Sequence, residues 1–66
     1  MKLRINGQEH VTAAQKTVRG ILDHLGFGEK PVVVELNQQA LFPREHETTV
    51  LQDGDTLEIV QITAGG

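Results

Sequence analysis

Thr56-Leu57-Glu58-Ile59-Val60-Gln61-Ile62, followed by Thr63-Ala64-Gly65-Gly66, closes the 66-residue sequence and decides how the rest is read. Side chains alternate across a strand, so Leu57 and Ile59 share one face while Glu58, Val60 and Ile62 share the other. Glu58 marks the second face as the wetter one. This register predicts that Leu57 and Ile59 point into a core with Ile5, Val34 and Leu22. It leaves Val60 and Ile62 as exposed apolar residues just ahead of the tail. Single exposed apolar residues are ordinary, but a contiguous patch marks protein contacts. Glu58, Val60 and Ile62 are therefore the candidate partner-binding surface.

Upstream of that strand, Asp53-Gly54-Asp55 reads as a turn. At the other end of the chain, Met1, Leu3 and Ile5 alternate with Lys2, Arg4 and Asn6, the period of a half-buried strand. Asn6-Gly7 suits a type I′ hairpin, because both residue types tolerate positive φ. A return strand through Gln8 to Thr12 follows, with Val11 as its clearest apolar contact. Thr17 is a helix N-cap whose hydroxyl can accept from an orphan N–H of the first turn. Val18, Ile21, Leu22 and Leu25 then make one apolar stripe at helical spacing. Gly20 weakens that helix by about 1 kcal/mol relative to Ala unless close packing requires it. Gly26 fits the left-handed position after the helix, with Phe27 folding back on the last turn.

Pro31 bars further helix, and Val32-Val33-Val34-Glu35-Leu36 reads as a buried strand rich in β-branched residues. Gln39 to Phe42 suits a short strand, and Pro43 to Glu47 a single helical turn. The order is strand, strand, helix, strand, short strand, strand, then the tail. One helix among strands predicts an α+β domain over residues 1–62, a mixed sheet of four to five strands with the helix laid across it. Residues 63–66 form a flexible C-terminal tail.

Composition narrows the function. Cysteine is absent, so no disulfide or thiolate metal site is available, and no side chain can hold sulfur as a thiol. The core must come from Val, Ile, Leu and Phe27 or Phe42. A formal net charge of −3 without a basic run excludes counterion-displacing binding to nucleic acid. It favours steering toward a basic partner surface. No stretch is apolar enough to span a membrane. The Met1-Lys2-Leu3-Arg4 start lacks an apolar signal region, so a cytoplasmic protein is expected.

Other constellations are weak. His10, His24 and His46 fall in a strand, a helix and a loop without ligand spacing; they are read as solvated surface histidines. Asp53 and Asp55 lack the further ligands of a calcium loop. Glu45-His46-Glu47 has no evident pocket for acid–base work. Gly26-Phe27-Gly28 is too short for a phosphate loop. No metal site, bound cofactor or self-contained catalytic centre is expected.

The order of elements, the Asn6-Gly7 hairpin, Thr17-Val18, Val34-Glu35-Leu36-Asn37, Pro43-Arg44 and the run Thr49 to Val60 leading into Gly65-Gly66 together resemble one family. It is the thiamine-biosynthesis sulfur carriers, the ThiS family, with the ubiquitin-like β-grasp fold. The resemblance covers the whole chain. It departs at Ile62, where relatives often carry an aromatic residue, and at Ala64, where a further glycine is frequent.

The resemblance implies a carrier rather than an enzyme. The carboxylate of Gly66 is adenylated with ATP by a partner adenylyltransferase of the E1-like type, then converted to a thiocarboxylate. Ala64 and Gly65 are the tail residues recognised by the partners. Glycine has no Cβ and reaches both signs of φ, so such an arm can thread a narrow site. The implied partners are the adenylyltransferase, a sulfur donor such as a cysteine desulfurase, and a thiazole synthase. Two alternatives stay open. One is the small subunit of molybdopterin synthase, with the same fold and tail. The other is a non-catalytic β-grasp interaction module. Short length and the Val-Glu-Leu-Asn stretch favour the first reading.

Overall fold

Asn6 and Gly7 both take positive φ, 50° and 82°, as a two-residue type I′ turn requires. They join β1 (Lys2–Ile5) to β2 (Gln8–Val11), which pair antiparallel. The computed structural model describes residues 1–13 and 16–63. Its further elements are α1 (Val18–His24), β3 (Val32–Leu36), β4 (Gln39–Leu41), a 3-10 turn (Pro43–Glu45) and β5 (Thr56–Gln61). The five strands make one mixed sheet in the order β2-β1-β5-β3-β4. Strand β5 lies between β1, to which it is parallel, and β3, to which it is antiparallel. The expected α+β β-grasp architecture is the one observed.

Both ends of α1 follow from local sequence. The Gly20 N–H donates to Thr17 Oγ1 at 3.0 Å, the expected N-cap. At the C-terminus, Gly26 has φ 88°. Its N–H donates to the Asp23 carbonyl and the Phe27 N–H to the Leu22 carbonyl. That pair of bonds is the Schellman arrangement, and it turns Phe27 back onto the core. A Cβ on Gly20 would meet Thr17 Oγ1 at 3.4 Å, an ordinary contact. Packing therefore does not demand glycine there.

The core lies between α1 and one face of the sheet. Val18, Ile21 and Leu22 from the helix meet Leu3, Ile5, Val34, Leu57 and Ile59 from the strands, all buried. Leu51 joins them, carried in by a bridge between Thr17 and Val50 and a bond from Leu51 N–H to the Lys16 carbonyl. Asn6 adds a polar tie across the sheet. Its Nδ2 donates to the Ile59 carbonyl and its Oδ1 accepts from the Ile59 N–H, extending the short β1–β5 ladder by one step.

Three expectations change, and the choice between Phe27 and Phe42 for the core is decided. Val11 is 73% exposed because its pairing with Lys2 turns it to the open face of an edge strand. β3 is not buried throughout. Val34 is enclosed, but Val33 and Glu35 face outward, since the helix covers one side of the sheet only. Phe42 is 60% exposed, with the Arg44 guanidinium 4.6 Å from its ring centroid, so of the two phenylalanines only Phe27 serves the core. His46 is not a surface histidine but 4% exposed. The 3-10 turn carries it inward, and its carbonyl accepts from the Arg19 N–H at 2.7 Å.

Candidate functional site

β5 positions the candidate surface. Its pairing with β3 sets Leu57 opposite Leu36, Glu58 opposite Glu35, Ile59 opposite Val34, and Val60 opposite Val33. Leu57 and Ile59 are buried, whereas Glu58 and Val60 are exposed, as the alternation predicts. The open face thus carries an apolar cross-strand pair, Val33 and Val60, beside an acidic one, Glu35 and Glu58. The β3 half of this patch escaped the sequence reading. Its signal was the alternation of Val33 and Glu35 with Val34, obscured by the run of three valines.

Ile62 follows the last β5 residue and donates its N–H to the Pro31 carbonyl at 2.9 Å. This bond holds the base of the tail against the loop ahead of β3. Ile62 is exposed as expected, but it also lines the rim of a cleft of about 370 Å³ with Arg19, Pro31, Val32, Pro43 and His46. The chain leaves the sheet at the border between its open face and this cleft. Ala64, Gly65 and Gly66, assigned above to tail recognition and sulfur carriage, lie outside the described residues.

His46 is the buried ionisable group near this point. Its Nε2 has no hydrogen-bond partner among the described residues. Burial lowers its pKa from 6.5, the Arg19 charge lowers it further, and Glu45 opposes both. His46 is therefore neutral at physiological pH. Arg19 itself is held by the Gly28 carbonyl at 2.8 Å and stands 3.8 Å from the Asp23 carboxylate. The other two histidines stand apart from His46, in β2 and at the end of α1. No group of three or more metal-ligating side chains converges among the described residues. No helix among them is long and apolar enough to cross a membrane.

Comparison with known proteins agrees with this geometry. The ThiS family model matches residues 3–66. The sulfur carrier protein ThiS of Escherichia coli (strain K12) is 34% identical, with the match covering all of both chains. A thiazole synthase of Magnetococcus marinus is 36% identical over the whole of this chain, which spans only 20% of that protein's length. Among solved structures, the thiamine biosynthesis protein ThiS of Geobacter metallireducens superposes with a TM-score of 0.85 at 30% identity, again over the full length of both chains. A sequence match through the Gly-Gly end and a structural match of the whole sheet and helix agree: the chain belongs to the ThiS family.

Proposed function

We propose that this chain is the sulfur carrier for the thiazole moiety of thiamine, acting in the cytoplasm as a substrate of partner enzymes and not as a catalyst. The observation that carries the reading is the family match over residues 3–66, which includes Gly65 and Gly66. The thiazole synthases that contain a stretch like this chain favour the thiamine branch over the molybdopterin one. They also support a thiazole synthase as the acceptor.

The chemistry follows from what a carboxylate lacks. It is a poor electrophile, because its charge and resonance repel nucleophiles. In the proposed cycle, the Gly66 carboxylate attacks the α-phosphorus of ATP in the active site of an adenylyltransferase, and pyrophosphate leaves. A persulfide from a cysteine desulfurase then attacks the acyl carbonyl, and AMP leaves. A second thiol cleaves the resulting acyl disulfide, so the donor ends as a disulfide and Gly66 as a thiocarboxylate. The adenylyltransferase supplies the electrostatic stabilisation. This chain contributes the arm, with Ala64 and Gly65 recognised in passage, and the docking face around Glu58, Val60 and Ile62.

Intact mass measured after incubation with ATP, an adenylyltransferase and a sulfur source tests the reading. The expected result is the mass gain of an oxygen-to-sulfur exchange, located in the last peptide. Deleting Gly66 should abolish loading and leave the melting temperature unchanged. Sulfur found on any other peptide overturns the proposal.

A further inference from the structure

The chain has two asparagines, Asn6 and Asn37, and each opens a hairpin turn with φ 50°. Only Asn6 is followed by glycine, and that neighbour brings covalent chemistry with it. A deprotonated backbone nitrogen can attack the side-chain carbonyl of the asparagine before it. Glycine, having no Cβ, leaves that nitrogen open to the reaction. Asn6 and Gly7 are both exposed, so water reaches the site. The Asn6 amide, however, is not free to turn. Its Oδ1 accepts from the Ile59 N–H at 2.7 Å, and its Nδ2 donates to the Ile59 carbonyl at 3.1 Å. Both bonds reach the backbone of one residue, so the amide is fastened to β5.

We propose that Asn6 is a deamidation site gated by its own clasp on Ile59, closed while β5 stays docked on β1 and open when the two strands part. In the reaction the Gly7 nitrogen loses its proton and bonds to Asn6 Cγ. The Cγ–Nδ2 bond breaks, and Nδ2 leaves as ammonia. Water then opens the cyclic imide at either carbonyl, leaving aspartate or isoaspartate. No electrons are exchanged, and water is the only co-reactant. The product does not restore the clasp. A carboxylate is an acceptor only, so the oxygen that replaces Nδ2 faces the Ile59 carbonyl without a proton to donate. Isoaspartate also lengthens the backbone of a two-residue turn whose geometry sets the β1–β2 register. The β1–β5 ladder is short, with Arg4 opposite Thr56 and Ile5 opposite Leu57. Loss of the clasp therefore makes the next opening easier. The proposal is independent of the carrier reading.

Peptide mapping by mass spectrometry tests the gate, on the full chain held at neutral pH in native buffer and in concentrated urea. Asn6 should convert at least about tenfold faster in urea. Asn37 is held in a similar way, by Thr56 and Asp55, but its successor is Gln38. It should stay intact in both conditions. In urea too dilute to unfold the chain, conversion of Asn6 should rise in step with hydrogen exchange at the Ile59 amide, because one opening exposes both. Asn6→Gly keeps the positive φ of the turn and removes the clasp, and Asn6→Asp mimics the product. Each should lower the melting temperature by about 4–8 °C.

Equal conversion in native buffer and in urea overturns the gate. Conversion in native buffer while the Ile59 amide stays protected overturns it as well. An unaltered Asn6 in urea over the same period overturns the site itself. Unchanged melting temperatures in both variants overturn the part assigned to the clasp in holding β5.

Discussion

Leu57 and Glu58 are chain neighbours, as are Ile59 and Val60, yet the two members of each pair live in different environments. Leu57 is 0% exposed beneath α1, and Val60 is 62% exposed on the side the helix does not cover. The covered face holds the fold together through apolar burial. The open face leaves Val60 and Glu58 in solvent and adds little to stability. A strand with two faces can thus serve two ends through one backbone, because successive side chains point in opposite directions.

The sharpest way to break this comparison is to shorten a side chain on each face. Leu57→Ala should cost about 2–5 kcal/mol, the lost transfer energy plus the cavity left in a site enclosed on all sides. A domain this small has little stability in reserve, so the variant should be largely unfolded at ambient temperature in a thermal melt. If Leu57→Ala folded normally while Val60→Ala did not, the two faces would be exchanged.

Acid sharpens the comparison next, because His46 is a polar group on the buried side. Its folded-state pKa lies below 6.5, chiefly through burial. Above 6.5 the imidazole is neutral in folded and unfolded chains alike, and it contributes no pH dependence. As pH falls through 6.5 the unfolded chain takes up a proton that the folded chain resists. Stability is therefore lost from there down to the lowered folded value. Urea melts from above to below 6.5 should show this decline, and His46→Gln should flatten it. An unchanged slope in that variant would place the titration elsewhere.

The smallest effect belongs to the open face. Val60→Asp should cost about 1 kcal/mol or less, since it loses a strand-favouring residue but no enclosed contacts. The same change sets a third carboxylate beside Glu35 and Glu58, which should weaken partner binding more than it weakens the fold. Paired melts and titrations check this. Loss of folding without specific loss of binding would return Val60 to the core.

Much of this was written in the sequence because the governing rules act over a few residues. The Asn6-Gly7 turn, the Thr17 cap, the Gly26 reversal and the two faces of β5 each follow from φ preference or side-chain period. The second hairpin shows where such rules fail. Asn37 and Gln38 both take positive φ, 50° and 71°, although Gln is a poor residue for that region. The turn gains support from outside itself, through Asn37 Oδ1 accepting from the Thr56 N–H and Asn37 Nδ2 donating to Asp55.

Only the tertiary structure could decide what lies beside what. The sequence marked Glu58 and Val60 as outward-facing, but their neighbours Glu35 and Val33 come from a strand that meets β5 through register alone. It marked Val11 as an apolar contact, and the edge position of β2 left it exposed. It assigned His46 to the surface by residue type, and the approach of the 3-10 turn to α1 enclosed it. Periodicity fixes which way a side chain points relative to its own backbone. Whether that direction meets a helix, another strand or water is set by packing between distant segments, which no local pattern encodes.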